Sequence, residues 1–394
     1  MLNFSDITLD EFLKNYWQKK PFVIRNAING FENSLTADDL AGLSLEEEAE
    51  SRLVFETPEK APYWALKRGP FTEEDFKTLP ESHWTLLVQG VDRFVPEVAA
   101  LLDHFNFIPS WRVDDVMISY AVEMGSVGPH YDNYDVFLYQ AKGRRKWLLT
   151  TQDCVDNNFH LDVDLRIMKE FKVEQEFILE EGDMLYLPPH VGHHGISLSS
   201  NCMTYSFGYR SYQGQELWDS LGEYMASQEY PTEYYRDPVW STTSGTSEIP
   251  REAWVQAKTA MQSILDDEDL FKNWFAAFAT TLDRHAELLL PEPPEEEDCV
   301  SLHNFIEQLT DSVGLVQNPV CRFAYVTDQQ KLALSLHING YEWDINQVDK
   351  ELVKLVADNR SLLINTVMPF MNILANQTFL YELWKLQWIE CMED

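Results

Sequence analysis

The spacing of apolar and polar positions changes repeatedly along this chain, and each change marks a different kind of element. Near the start, Leu9, Phe12, Leu13 and Tyr16 recur at helical spacing. Thr8-Leu9-Asp10-Glu11 precedes them as a T-x-x-E capping box. Pro21 ends that helix, and Pro21 to Arg25 (PFVIR) predicts a strand. Residues 34–82 read as short helices and loops. Trp84 to Gln89 predicts another strand, and a helix is expected near Phe94 to Phe105. Short β-rich runs follow at Val116 to Val122, Val136 to Tyr139, Lys146 to Thr150, Glu176 to Leu179, Met184 to Leu187 and Met203 to Tyr209. The second and third are expected to pair as a hairpin turned by Ala141-Lys142-Gly143. Many short strands separated by Gly, Pro and Asn predict a sandwich or barrel. The spacing suits a mainly β double-stranded β-helix, a jelly roll with a site at its mouth.

From about Gly214 the period becomes helical. Leu217, Leu221, Tyr224 and Met225 form one stripe. Trp254, Met261, Ile264 and Leu265 form a second, entered through Pro250, and Phe271, Trp274, Phe275, Phe278 and Leu282 a third. Faces this large need cover. A sheet flank of the same chain or the same helices of a second subunit would supply it, and a homodimer is expected. Residues 291–298, PEPPEEED, have the composition of a linker. Beyond them Leu332, Leu334, Leu336 and Ile338 alternate, Asn339-Gly340 turns the chain and Tyr341 to Ile345 returns. Val348, Leu352, Leu355 and Val356 then predict a helix. The expected domains are a catalytic jelly roll at 1–212, an α-helical dimerisation region at 213–290, an acidic Pro-rich linker at 291–298 and an α+β winged-helix module at 299–394.

Charge narrows the partners. The chain carries 30 Lys and Arg against 65 Asp and Glu, a net of −35. Phosphate contacts need cations, so a general nucleic-acid or anionic-membrane binder is disfavoured, and a basic partner is favoured. The winged-helix segment itself holds 6 Lys and Arg against 12 Asp and Glu, so direct DNA binding is not expected. Cys154, Cys202, Cys299, Cys321 and Cys391 are scattered without a C-x-x-C pair, which predicts neither a zinc knot nor a disulfide framework. The acidic start has no leader pattern, and no apolar run is long enough to span a bilayer. A cytoplasmic location is expected, with no membrane partner.

The candidate chemistry lies in Asp114 to Trp147. His130-Tyr131-Asp132 is an H-x-D triplet, and side chains two apart on an extended chain share a face. A further His would complete the two-His, one-carboxylate cage of non-haem Fe(II). Gly125, Gly128 and Pro129 suggest a turn that delivers the pair at a strand entrance. Downstream, His190, His193 and His194 compete for the third position. Strand alternation forbids His193 and His194 from facing the metal together. A 2-oxo acid co-substrate such as 2-oxoglutarate would leave a far carboxylate that needs a cation. Gly143-Arg144-Arg145-Lys146-Trp147 offers three, and a single inward charge is the cheaper arrangement, which selects Arg145 and leaves Arg144 and Lys146 to solvent.

These motifs, taken in order, resemble the JmjC-type Fe(II)/2-oxoglutarate oxygenases of the cupin class. More narrowly, the chain is similar to the bacterial ribosomal oxygenases, which hydroxylate an arginine of a large-subunit ribosomal protein. The resemblance rests on WQKKPFVIR at 17–25, DDVMIS at 114–119, GPHYDNYDVF at 128–137, GRRKW at 143–147 and GDMLYLPP at 182–189. It implies iron ligands at His130, Asp132 and His193 and a 2-oxoglutarate salt bridge at Arg145, with O2 as the second co-substrate. It also implies a pocket in which Asp115 pairs with the substrate guanidinium, Met117 and Tyr134 flank its stem and Ser206 adds a hydrogen bond. The implied reaction is Cβ (3-) hydroxylation of arginine. His194 departs from the pattern, standing where an acidic or other polar residue is expected. The alternatives are a JmjC oxygenase acting on another residue, as a histidyl hydroxylase or lysine demethylase, and a non-catalytic metal-binding adaptor in ribosome assembly.

Overall fold

The computed structural model describes residues 1–4, 6–57, 63–161, 164–239, 247–294 and 300–392. Helix α1 (Leu9–Asn15) opens on its capping box. The Thr8 hydroxyl accepts from the Glu11 amide at 3.2 Å, and the Glu11 carboxylate accepts from the Thr8 amide at 2.8 Å. Strand β1 (Phe22–Ile24) and α2 (Ala37–Leu43) follow. Then come β2 (Ser51–Glu56), β3 (Trp64–Arg68), α3 (Glu73–Lys77), β4 (Trp84–Val88) and α4 (Pro96–Leu101). The expectation of only helices and loops over 34–82 therefore needs correction. Strands β2 and β3 pair antiparallel, and β2 also pairs with β4. Charged residues, Arg52 and Glu56 in β2 and Lys67 and Arg68 in β3, dilute their β pattern.

The jelly roll is completed by β5 (Val113–Ala121), β6 (Asp135–Lys142), β7 (Arg145–Thr150), β8 (Gln175–Leu179), β9 (Met184–Leu187), β10 (Gly192–Ser197) and β11 (Cys202–Tyr209). One antiparallel sheet runs β1-β9-β6-β11-β5-β4-β2-β3, and a second runs β10-β7-β8. The expected β6–β7 hairpin does not form. Strand β6 pairs with β9 and β11, whereas β7 pairs with β8 and β10. Gly143 and Arg144 instead form a corner that carries the chain from one sheet to the other. Gly143 has φ +68°, and a Cβ there would sit 2.5 Å from the Asn201 carbonyl oxygen, so only glycine fits. Two β-runs separated by two residues look the same in sequence whether they return as a hairpin or change sheets.

The larger sheet is buried on both faces. Alternate residues of β6 and β11 (Phe137, Tyr139, Tyr205, Phe207) pack outward under α1 and α4 with Phe12 and Phe105. Val136 and Leu138 point inward and join Trp147, Leu149 and Leu179 of the second sheet. This period of two assigns the inner face of β5 to Asp115, Met117 and Ser119, and that of β11 to Thr204 and Ser206.

Helices α5 (Gly214–Ser227), α6 (Arg251–Leu265), α7 (Glu268–Thr280) and α8 (Arg284–Leu288) carry the three predicted stripes. Leu221, Leu270 and Trp274 form their core, while Trp218, Trp254 and Met261 stay half-exposed. Residues 291–294 of the expected linker have no regular structure, and 295–298, with Cys299, lie outside the described residues. The C-terminal part comprises α9 (Leu302–Asp311), β12 (Gly314–Gln317), β13 (Phe323–Thr327), β14 (Ala333–Ile338), β15 (Tyr341–Trp343), α10 (Lys350–Asp358), β16 (Ser361–Leu363), α11 (Ile364–Val367), α12 (Leu374–Lys385) and β17 (Ile389–Met392). Asn339 (φ +52°) and Gly340 (φ +88°) turn β14 into β15 as the Asn-Gly pair predicts. Along β14 only Leu336 and Ile338 of the alternating leucine set reach the core. Leu332 and Leu334 are exposed, while Ser335 and His337 are buried on the other face. The other four cysteines are free, and among the described residues no helix is long and apolar enough to cross a membrane.

Candidate active site

His130 precedes β6 and His193 lies near the start of β10, a strand whose Gly-His-His-Gly beginning has little β signal. The two residues form an isolated antiparallel bridge. The His130 amide donates to the His193 carbonyl at 3.0 Å, and the His193 amide donates back at 2.7 Å. Each ring is then oriented locally. His130 Nδ1 lies 2.9 Å from the Gly128 carbonyl and His193 Nδ1 lies 3.0 Å from the Val191 carbonyl. These bonds fix the tautomer and leave both Nε2 lone pairs free to ligate. Asp132 Oδ2 is 3.6 Å from His193 Nε2. One ligand atom each from His130, Asp132 and His193 lie within 4.8 Å of one another. Burial, with His130 beside it, pushes the His193 imidazole down to about 4. It is therefore neutral at ordinary pH, as a metal ligand must be.

Geometry places the three candidate histidines differently. His190 is exposed, has φ +61° and uses its amide on the Asp132 carbonyl. His194 points to the opposite face of β10, with its ring edge-on to Phe171 at 6.2 Å between centroids. Among the described residues only His193 joins His130 and Asp132.

Arg145 stands opposite Ser197 of β10 and Leu179 of β8 and is 4% exposed. Its inward-facing neighbours on β7 are Trp147 and Leu149, whereas Arg144 is exposed and Lys146 only partly covered. Nε and Nη2 of Arg145 have no hydrogen-bond partner among the described residues. Burial would raise the nearby Cys202 thiol, yet the Arg145 guanidinium brings it below its ordinary value. A buried guanidinium with unmet donors fits a carboxylate ligand.

Both groups open into one cavity of about 690 Å³ between the sheets, and all eight predicted site residues line it. Ser206 sits opposite Met117 in the β11–β5 ladder. Tyr134 stands at the mouth, 40% exposed. Asp115 Oδ2 accepts from the Gly90 amide at 2.7 Å. Burial, reinforced by Asp92, raises the Asp115 carboxyl to about 7. The residues that sequence reading missed are on β2 and in the β7–β8 loop. Arg52 of β2 donates to Gln89 at 3.0 Å and reaches the Met117 sulfur at 3.9 Å. Phe159 of the loop stacks on Tyr131 at 5.3 Å, so the loop is seated on the H-x-D triplet itself. Arg52 and Val54, two apart on β2, share the face that lines the cavity, which was a usable signal for the first. Nothing local pointed to the second.

Two histidines with free Nε2 atoms, a carboxylate and a buried arginine with two unmet nitrogens between two facing sheets define a JmjC-type oxygenase that uses Fe(II) and 2-oxoglutarate. Comparison with known proteins agrees. Residues 100–217 match the JmjC domain family, and residues 263–389 match the ROXA-like winged helix. The chain is 36% identical over 293 residues to the ribosomal protein uL16 3-hydroxylase of Escherichia coli (strain K12), spanning 73% of this chain and 75% of that one. It is 31% identical over 385 residues to a probable ribosomal oxygenase of Haemophilus influenzae, spanning 94% and 90%. The structure of YcfD, a ribosomal oxygenase from E. coli, in complex with cobalt and 2-oxoglutarate superimposes with a TM-score of 0.83, 30% identity and 99% coverage of both chains. The chain belongs to the ribosomal oxygenase family.

Proposed function

We propose that this protein hydroxylates Cβ of an arginine in a large-subunit ribosomal protein, with uL16, the substrate named for its E. coli relative, as the first candidate. The observation that carries the reading is the single cavity shared by the His130, Asp132 and His193 cluster, Arg145 and the buried carboxylate of Asp115. In this reading His130, Asp132 and His193 hold Fe(II), and their Nδ1-to-carbonyl bonds keep the rings aimed. Arg145 takes the far carboxylate of 2-oxoglutarate in a dry setting, where a charge-assisted pair is strong. When bound, iron and 2-oxoglutarate supply the oxidising chemistry, in which O2 and 2-oxoglutarate become succinate, CO2 and one oxygen inserted into a substrate C–H bond. Asp115 pairs with the substrate guanidinium, Met117 and Tyr134 flank its stem, and Ser206 contributes a hydroxyl. These four residues hold the reacting carbon at the metal end of the cavity.

The net charge of −35 would draw a basic ribosomal protein towards the mouth. The same acidity in the winged helix favours a structural or protein-facing role over DNA binding. The half-exposed Trp218 and Trp254 on α5 and α6 support a homodimer through these helices. The domain division at 1–212, 213–290, 291–298 and 299–394 and a cytoplasmic location complete the reading. The test is mass spectrometry of a uL16 peptide incubated with protein, Fe(II) and 2-oxoglutarate. One added oxygen on arginine is expected. Oxygen on another residue, or release of formaldehyde from methyl-lysine, would replace this reading.

A further inference from the structure

Asp115 sits where its strand is poorly supported by its neighbours. Pairing of β5 with β4 ends at Ile118, opposite Val88. On the other side, Val113 pairs with Tyr209 and Val116 with Phe207, so Asp114 and Asp115 together oppose Gly208 alone. This is a bulge, and bulges leave backbone groups outside the ladder. Side chains from elsewhere hold it. Arg322 Nη1 donates to the Val113 carbonyl at 2.8 Å, and Nη2 donates to the Asp114 carbonyl at 2.7 Å. The second of these carbonyls belongs to the peptide unit that carries the Asp115 amide. On the opposite side Asp92 Oδ1 accepts from the Val116 amide at 2.7 Å. The next residue, Arg93, makes a two-pronged pair with Asp283 at 3.1 and 2.6 Å.

Both anchors come from the C-terminal half. Arg322 precedes β13, and its backbone is tied to the wing turn: its amide donates to Asn339 Oδ1 at 2.9 Å and its carbonyl accepts from the Asn339 amide at 3.1 Å. Gly340 of the same turn donates to Thr280 Oγ1 at the end of α7, at 3.1 Å. Asp283 also caps α8, accepting from the amides of His285 and Ala286 at 3.0 Å. A polar cavity of about 360 Å³, bordered by Asp92, Arg93, Asp114 and Arg322, lies beside these contacts. On this side of the bulge the Val113 and Asp114 carbonyls are satisfied by the Arg322 bonds.

We propose that Arg322 is a positioning residue for substrate recognition, that it sets the β5 bulge so that Asp115 faces the substrate guanidinium, and that the winged-helix module thereby completes the substrate pocket. The Arg93–Asp283 pair holds the Gly90–Asp92 side of the same bulge. The proposal rests on the reading of Asp115 as the guanidinium partner. A guanidinium is suited to the task because it spans two successive carbonyls with a fixed fork, which a lysine cannot do.

The test is a double-mutant cycle on the full chain, with kcat and KM measured on an arginine-bearing uL16 peptide. Arg322→Ala should raise KM roughly tenfold, the order expected when one charge-assisted hydrogen bond is weakened, with kcat changed much less. Arg322→Lys should recover only part of the loss. In an Asp115→Asn background, Arg322→Ala should have almost no further effect on KM, because it acts through that carboxylate. The thermal shift produced by Mn(II) and 2-oxoglutarate should match wild type in every variant, since that site lies on other strands. Asp283→Asn keeps the cap and removes the charge, so it gives a second, milder variant with the same direction in KM if Arg322→Ala does not fold. Unchanged KM in these variants, or effects of Arg322→Ala and Asp115→Asn that multiply, would overturn the positioning role while leaving the arginine hydroxylase standing. No hydroxylation by the wild-type protein, with the Mn(II) and 2-oxoglutarate shift intact, would overturn the substrate reading and this proposal with it.

Discussion

His130 and His193 are locked to each other through both of their backbone amides, at 3.0 and 2.7 Å, with ring centroids 4.2 Å apart. The metal motif before β6 and the start of β10 are therefore a single unit, although 63 positions separate them in the chain (193 less 130). This pairing brings His193 beside His130 and Asp132. A His on the other face of β10 cannot reach the site, whatever its chemistry.

His193→Ala should abolish hydroxylation and the Mn(II)-dependent binding of 2-oxoglutarate. His194→Ala should keep both within about threefold, in line with a residue whose Nε2 has no hydrogen-bond partner among the described residues and faces away from the cluster. Metal titration followed by calorimetry separates them, and loss of binding in the His194 variant would reverse the assignment.

Arg145 carries the co-substrate carboxylate in this reading. Arg145→Leu should raise the KM for 2-oxoglutarate by roughly two orders of magnitude, the scale of ~3 kcal/mol for a charge-assisted pair. The ligand-free protein should melt at the same temperature or higher, because a buried charge with unmet donors has been removed. A large fall in melting temperature with unchanged KM would make the residue structural.

The buried carboxyl of Asp115 is raised to about 7, by burial first and by Asp92 second. Only the ionised form pairs with guanidinium. Apparent KM for the substrate peptide should therefore fall as pH rises through about 7 and level off above it. In Asp115→Asn that dependence should vanish, with KM high throughout. A wild-type KM that is flat from about pH 6 to 8 would remove Asp115 from the pocket.

His337 is fully buried on β14, and neither ring nitrogen has a hydrogen-bond partner among the described residues. Burial pushes it from its ordinary 6.5 down to about 4. The unfolded chain thus takes up the proton first as pH falls. Stability should decline between about pH 6.5 and 4 and not change further through this group below that, for a total of up to ~3 kcal/mol. Urea melts of the metal-free protein should show this decline reduced in His337→Leu, with the remainder coming from the other shifted groups, His193 and His194 among them. An identical slope in the variant would mean that the ring is hydrated.

Gly143 turns the chain between the sheets and places Arg145 two residues later. Gly143→Ala should destabilise the fold by about 1–2 kcal/mol, since φ +68° is unfavourable for alanine and its Cβ would press on the Asn201 carbonyl. Thermal denaturation measures it, and a neutral result would mean that the corner relaxes.

Much of this protein was decided by local chemistry that can be read along the chain. The capping box of α1, the Asn339-Gly340 turn and the inward choice of Arg145 over Arg144 and Lys146 each follow from backbone geometry acting over two to four residues. The H-x-D pair and the class of chemistry were equally local. What the chain could not show is what depends on partners distant in sequence. The run from β6 to β7 looks like a hairpin until the sheets exist to be joined by its corner. Strands β2 and β3 have weak patterns of their own and are made stable by the edge that β4 presents. His193 separates from His194 only when β10 pairs with β7 and fixes which face is inside. Asp115 gains its support from Arg322, more than 200 residues away, because a strand bulge leaves carbonyls that only the tertiary structure can satisfy.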